Sequence, residues 1–402
     1  MRHFDVVILG AGPAGASTAL GLRKSHPHLS VVMVEACDFH AMRPAEILSK
    51  EAVPILQQLG VFDFFLEQNH PQLAAQPNTG DKAANAYDLY SSALSDGGWY
   101  LDRARFDSML AGYAAASGTS FIRATMVDVQ CLSDNSWQIV AQSPLKSHTL
   151  NATFVVDATG RSARFATEIG VPQVAHDAMV GVVRVLALDS ADQMRYTPLI
   201  EAFEHGWWYS ALTADKRLAV VAMTDADISK QLQLTHLTQW TEYLQTAPLT
   251  LERMRNVKGD ADLSVRAAHT RYLQHCCEKN WLAVGDAAAS VDPIASQGIS
   301  RALHFGVHAS DAIGGHFQSE EHSLRNYEAL VQMEFENNLD LLSTIYCSES
   351  RWDSAPFWLR RKTTPAIISS RQDRKSTLTL SNTNTVGGIR AANHTEAARA
   401  IT

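Results

Sequence analysis

Five cysteines are spread through 402 residues, and none forms a C-x-x-C pair, which leaves little for a disulfide framework or a zinc ligand set. Cys276 and Cys277 are adjacent, a placement that suits either a redox pair or two buried, unreactive thiols. No run approaches the ~18 apolar residues of a membrane span. No long apolar signal segment precedes the first strand. Basic blocks are missing too. The 34 Lys and Arg against 42 Asp and Glu give a net charge of −8, the wrong sign for a nucleic-acid binder. Together these absences predict a soluble, metal-free protein in a reducing, cytoplasmic setting, bound to neither nucleic acid nor membrane. What the chain does have is apolar material, 46% of it, enough for a large core. At ~150 residues per domain the length suggests more than one.

The first 35 residues are the most informative. Residues 4–9 (FDVVIL) form a short β-branched run, read as a buried parallel strand. A glycine turn follows, then a helix over 16–24 and a second strand over 30–34, closed by Glu35. This is a βαβ unit. Residues 45–59 read as a helix that Pro54 breaks or kinks. Residues 68–86 read as a loop. Phe106, Met109, Leu110 and Tyr113 set a helix over 103–117. Strands are expected over 99–101, 127–132, 137–141, 153–157 and 281–284, and a second, separate sheet over 180–223. Helices are expected over 297–314 and 324–342, and a weakly ordered tail over 364–402.

Gly10-Ala11-Gly12-Pro13-Ala14-Gly15 fits G-x-G-x-x-G between a strand and a helix, with Glu35 about 20 residues on. Gly10 permits the turn, Gly12 lets a pyrophosphate approach the backbone, and Gly15 lets helix and strand pack closely. Glu35 is placed to accept hydrogen bonds from an adenosine ribose. A dinucleotide cofactor follows, either FAD or NAD.

Later segments decide between them. Gly285-Asp286-Ala287-Ala288 and Asp292-Pro293-Ile294-Ala295-Ser296-Gln297-Gly298-Ile299 resemble the second FAD motif of the p-hydroxybenzoate hydroxylase superfamily. The resemblance implies that Asp286 meets the ribityl or pyrophosphate part of FAD. It also implies that the helix from Gly298 presents N–H groups to the flavin, whose reduced form is anionic. Trp99 to Asp107 resembles that superfamily's W-x-L-D-R-x-x-F-D stretch, which puts Arg103 on FAD. Asp157-Ala158-Thr159-Gly160-Arg161-Ser162 resembles the D-A-T-G-R-S of flavin-dependent halogenases and related reductases, not the D-G of hydroxylases that use NAD(P)H directly. The FAD contacts this implies are Gly10, Gly12, Ala14, Gly15, Glu35, Ala36 and Arg43, together with Arg103, Val127, Asp286, Pro293, Gly298 and Ile299. The fold implied is α/β, a Rossmann-like FAD-binding domain with a second, mostly antiparallel β-sheet substrate domain and C-terminal helices. Residues 1–70, 100–175 and 265–320 are assigned to the FAD domain. Residues 71–99 and 176–264 go to the substrate domain, 321–363 to a helical region and 364–402 to the tail.

Within this superfamily the chain departs from the tryptophan halogenases. Gly206-Trp207-Trp208-Tyr209-Ser210-Ala211-Leu212 stands where they carry W-x-W-x-I-P, and Ala295 stands where they carry a glutamate. Lys82 is the nearest candidate for their lysine, in a polar loop. Glu46 follows Arg43-Pro44-Ala45, similar to their R-x-G-E-x-L with Ala45 in place of glycine. The pattern is closest to flavoproteins that hydroxylate peptidyl tryptophan in tryptophylquinone biogenesis, a likeness supported by GWWYSAL and by residues 350–358 (SRWDSAPFW). The expectation is an FAD-dependent monooxygenase acting on an aromatic substrate through a flavin C4a-hydroperoxide, with O₂ and a separate flavin reductase as partners. The substrate includes, as one option, a tryptophan in a peptide or protein. Glu46, Trp207, Trp208 and Tyr209 are its candidate pocket, although an aromatic core accounts for the three rings equally well. No catalytic residue is assigned. The alternatives are a halogenase, a flavin reductase of isoprenoid double bonds, and a non-catalytic flavin-containing partner protein.

Overall fold

A computed structural model describes residues 2–40, 43, 45–73, 97–188, 197–259 and 261–363. Most of the polar loop with Lys82, and the whole expected tail, lie outside the described residues.

The N-terminal run becomes β1 (Arg2–Leu9), followed by α1 (Pro13–Ser25) and β2 (Val31–Glu35). β1 pairs in parallel with β2, and β2 in turn with β3 (Ser120–Arg123). On its other side β1 pairs in parallel with β4 (Ser147–Asp157). Val6, Val7, Ile8 and Val32 are fully buried, as expected for strands covered on both faces. α2 (Arg103–Ala116) packs against α1 and is capped by Asp102, whose carboxylate accepts the Arg105 N–H. A hairpin of Thr125–Cys131 and Trp137–Gln142 extends this sheet through β4.

The second sheet is antiparallel throughout. β5 (Met179–Leu188), β6 (Leu199–Phe203), β7 (Gly206–Leu212), β8 (Leu218–Asp225) and β9 (Ser264–Ala267) lie in the order β6-β7-β8-β5-β9. The chain then returns to the first sheet with β10 (Trp281–Ala283), parallel to β4. α3 (Gly298–Phe317) packs on α1, and α4 (Ser323–Ser348) packs on α3. α5 (Pro356–Thr363) docks on the second sheet through Phe357 and Trp358, whose indole N–H donates to the Phe203 carbonyl at 2.9 Å.

Several elements differ from the sequence reading. Residues 45–59 are not one helix: Ile47–Ser49 is a strand paired with Gly98–Tyr100, and the α-helix begins only at Val53. Pro54 therefore does not interrupt a helix. It sits in the first turn, where its missing N–H has no intrahelical partner to lose. Short helices over Ala226–Gln231, Leu237–Leu244 and Pro248–Arg253 lie between β8 and β9, where the sequence reading placed nothing. No helix among the described residues is long and apolar enough to cross a membrane.

Candidate functional site

A cavity of about 910 Å³ lies between the two sheets, at the upper end of the usual size for a ligand pocket. On one side it is bordered by the carboxyl ends of the parallel strands. These contribute Leu9 and Gly10 at the end of β1, Glu35 and Ala36 at the end of β2, Ala158 to Ser162 after β4, and Asp286 after β10. This is where open α/β sheets bind ligands.

The glycine turn is built as its spacing requires. Gly10 has φ +104°, and a Cβ there would meet the Ala158 carbonyl oxygen at 2.3 Å. A Cβ on Gly15 would meet the Gly10 carbonyl oxygen at 2.1 Å, so this glycine serves helix–strand packing and does not face the cavity. Gly12 is different: a Cβ there meets nothing within 4 Å, and the space it would enter is the cavity. The same holds for Gly298 at the start of α3. Neither α1 nor α3 has an acidic residue in its first turn or a side chain capping its N-terminus. Two helix N-termini thus present free N–H groups to one cavity, an arrangement that favours anions. Glu35 is buried, accepts the N–H of Ala11 at 2.7 Å and that of Cys37 at 2.9 Å, and borders the same space. These residues fit a dinucleotide with its pyrophosphate at Gly12 and its ribose at Glu35. Glu35→Ala should weaken such a cofactor by about 1–3 kcal/mol, one charge-assisted hydrogen bond. A flavin fluorescence titration reads this, and an unchanged affinity would remove Glu35 from the binding set.

Arg43, Glu46, Arg103, Pro293 and Ile299 also border the cavity. Arg103 is not a solvated helix-start residue. It forms a bidentate pair with Asp107 at 2.9 and 2.8 Å and a further ion pair with Glu46. Burial works against its charge, but Glu46 and Asp107 hold the guanidinium above its ordinary value. Asp286 is partly exposed, with Arg161 Nε 3.5 Å away. Arg161 is tied down by the carbonyls of His269 and Val291. Arg161 and Asp107 were absent from the expected set. The second could have been found four residues after Arg103, one turn along the same helix face.

Three expected residues are not brought to the cavity: Gly15, held in the helix–strand contact, Val127 and Trp208. Val127 sits where the hairpin register slips between Met126 and Asp128 and is exposed, while Met126 faces inward. A bulge turns its side chain away. Trp208 lies on the opposite face of β7 from Trp207 and Tyr209, because side chains alternate along a strand. It packs edge-on against Trp240 with ring centres 5.0 Å apart.

The wall formed by the second sheet consists of two cross-strand rows. Trp207 is opposite Met223, Met223 opposite Gly181, and Gly181 opposite Arg266. Ile200 is opposite Tyr209, Tyr209 opposite Val221, and Val221 opposite Val183. All eight border the cavity. The Tyr209 hydroxyl donates to the Ala45 carbonyl at 2.9 Å. Ala45 itself is left-handed, φ 56°, at the position where the sequence reading noted a glycine in related proteins. Ala295 is buried beside the cavity without bordering it, and no lysine borders it among the described residues.

Asp292 borders the cavity but is 2% exposed. Burial pushes its carboxyl up to about 6, against the opposing effects of Arg361 and the Tyr346 hydroxyl. The folded chain therefore holds this proton more tightly than the unfolded chain, where the ordinary value is 3.8. Its contribution is fully present below about pH 4 and is lost as pH rises through 6, costing about 3 kcal/mol once complete. Asp292→Asn removes that dependence. The stability of the variant relative to the parent should climb by about 1–3 kcal/mol between pH 4 and 7 in urea denaturation. A difference that stays flat across this window would show that the carboxyl titrates normally.

Cys276 and Cys277 are buried away from the cavity. Their sulfurs and a Glu328 oxygen lie within 4.8 Å of one another, and Glu328 accepts the Cys276 N–H at 3.1 Å. The hydrogen bond with the Cys277 thiol, and then burial, raise the Cys276 pKa.

Comparison with known proteins identifies the fold and the family. The chain is 29% identical over 381 residues to the "Putative FAD-dependent oxidoreductase LodB" of Marinomonas mediterranea, covering 91% of this chain and 99% of LodB. The fold matches that of CmlS, a flavin-dependent halogenase, with a TM-score of 0.75 at 21% identity over 94% of this chain and 70% of CmlS. It also matches QhpG, a peptidyl tryptophan dihydroxylase essential for tryptophylquinone cofactor biogenesis, with a TM-score of 0.71 at 22% identity over 91% of this chain and 80% of QhpG. The profile of the tryptophan halogenase family matches residues 67–385. The protein belongs to the tryptophan halogenase family.

Proposed function

We propose that this protein is an FAD-dependent monooxygenase that hydroxylates an electron-rich aromatic ring, with a tryptophan side chain in a peptide or protein as the leading substrate class. The observation that carries this reading is the single cavity joining two helix N-termini and Glu35 to an aromatic wall of Trp207 and Tyr209. When bound and reduced, FAD supplies the two electrons that activate O₂ for transfer of one oxygen atom to the ring. Gly12 and the N–H groups of α1 hold the pyrophosphate, and Glu35 the ribose. The N-terminus of α3 stabilises negative charge on the reduced ring system. Arg103, locked between Glu46 and Asp107, presents a fixed cation. Trp207, Met223, Ile200 and Val221 exclude water from the reacting face. Residues 1–70, 100–175 and 265–320 form the cofactor half in this reading, and 71–99 with 176–264 the substrate half. Reduction comes from a separate flavin reductase, since the chain has one G-x-G-x-x-G turn and no second dinucleotide fingerprint.

Halogenation is the second reading, favoured by the family match and the likeness to CmlS. Against it stand Tyr209 and Ala295 at positions where the tryptophan halogenases carry other residues. Turnover of a tryptophan-containing peptide with reduced flavin, isotopically labelled O₂ and excess bromide separates the two. Hydroxylation adds labelled oxygen to the peptide. A brominated peptide without label would select the halogenase branch.

A further inference from the structure

Trp207, Tyr346 and Asp292 come from β7, α4 and the loop before α3, and they meet behind the aromatic wall. The Trp207 indole N–H donates to the Tyr346 hydroxyl at 3.1 Å. That hydroxyl donates to one Asp292 carboxylate oxygen at 2.5 Å. The other carboxylate oxygen accepts the Ile294 N–H at 2.9 Å, and the Asp292 N–H donates to Thr270 Oγ1 at 3.1 Å. Each of the three side chains is 2% exposed. Trp207 and Asp292 border the cavity, while Tyr346 stands behind them, packed among Phe357, Trp358 and the Arg361 guanidinium.

The chemistry of this chain has one direction. An indole N–H only donates, a carboxylate only accepts, and a tyrosine hydroxyl does both. Turning the Trp207 ring over would leave its buried N–H without an acceptor and the Tyr346 oxygen without that donor, a cost that selects one rotamer. Trp208 shows the alternative: its indole N–H has no partner among the described residues, and the ring is held by packing. A phenylalanine at 207 would bury comparable apolar surface without any such orientation. The hydrogen bond therefore adds direction to a wall that packing would already have closed.

We infer that Tyr346 and Asp292 are positioning residues that lock Trp207 in one rotamer and so set the orientation of a planar aromatic ligand against the wall. The inference rests on the aromatic-substrate reading above. It goes beyond that reading by placing the control of ring orientation on α4, outside the cavity.

The test uses the FAD-loaded protein with ¹⁵N-labelled tryptophan. The Trp207 indole signal is the one lost in Trp207→Phe. In Tyr346→Phe its hydrogen exchange should accelerate about tenfold, the loss of one buried hydrogen bond. Binding of N-acetyltryptophan amide, read from the flavin absorption band, should weaken by about fivefold to tenfold, with FAD affinity unchanged within about twofold. In the Trp207→Phe background, Tyr346→Phe should change ligand binding no further, because the two residues act as one unit. Should Tyr346→Phe not fold, Asp292→Ala and Asp292→Asn give the same contrast. The first frees the tyrosine hydroxyl and speeds exchange, and the second keeps an acceptor and preserves protection. Unaltered exchange overturns the lock, whatever the protein's substrate. Faster exchange with unaltered ligand binding overturns its role in orientation, as do independent, multiplying effects of the two substitutions. Failure of the parent protein to bind any arene sinks the aromatic-substrate reading and the orientation role with it. The exchange measurement still decides the lock in that case.

Discussion

Arg103→Met should cost about 3–5 kcal/mol of stability, the range for removing one partner from a buried charge cluster. Asp107 is 5% exposed, and both its oxygens are taken by the arginine. Burial already pushes the Asp107 carboxyl up while Arg103 opposes that push. Without the guanidinium, the carboxyl takes a proton or stays charged at high cost. The variant should therefore be hurt more at pH 8 than at pH 5, because the unfolded chain releases that proton easily and the folded one does not. Asp107→Leu added to Arg103→Met should recover much of the loss, since an apolar pair of similar volume is often as stable as a buried ion pair. Urea denaturation of the three proteins at both pH values checks this. A loss below about 1 kcal/mol for the single variant would mean the cluster is solvated in a way its burial contradicts.

Gly12→Ala should leave the fold intact and abolish cofactor retention, and this separation distinguishes Gly12 from its neighbour. The residue has φ −68° and ψ −174°, open to alanine, and no atom lies within 4 Å of the added methyl. Stability should stay equal or rise by about 0.4–1 kcal/mol, because alanine restricts the unfolded chain. Flavin affinity should fall by about 100-fold or more, roughly 2.7 kcal/mol, because the methyl occupies the approach of the pyrophosphate. Gly10→Ala should fail in the opposite way, by losing the fold. Its φ is +104° and its added carbon lands on the Ala158 carbonyl. Thermal melts and flavin titrations of both proteins give the two readouts. Normal flavin binding by Gly12→Ala would move the phosphates elsewhere.

Such local constraints explain how much of the site was legible in the sequence. A left-handed φ, a close backbone approach and a helix start are each encoded within a few residues. The glycine turn and Glu35 could therefore be placed from spacing, and the Gly298 helix start from its likeness to the second FAD motif. The βαβ order and the existence of a second, separate sheet follow from hydrophobic period in the same way, while its antiparallel pairing came from the family resemblance. Faces and registers were harder. Trp207, Trp208 and Tyr209 look alike in sequence, and only the pairing of β7 with β8 decides that the first and third face the cavity. Val127 needed knowledge of a bulge that no local residue announces. Ile47–Ser49 became a strand because Gly98–Tyr100 is there to pair with it, a tertiary effect that overrides local helical composition. The Trp207 to Tyr346 contact spans 139 positions and has no periodicity to betray it.

The row running from Trp207 through Met223 to Gly181 also constrains how this wall can change over evolutionary time. A Cβ on Gly181 would meet Val221 Cγ1 at 2.9 Å and the Met223 sulfur at 3.0 Å, so bulk is already fully distributed across the three strands. Enlarging one position demands that a partner across the strands shrink, and the compensating change lies tens of residues away in sequence. Descendants that accept a wider ring should trade volume among positions 181, 207 and 223 as a set. Substitution at any one of them alone should be purged as overpacking before it alters selectivity.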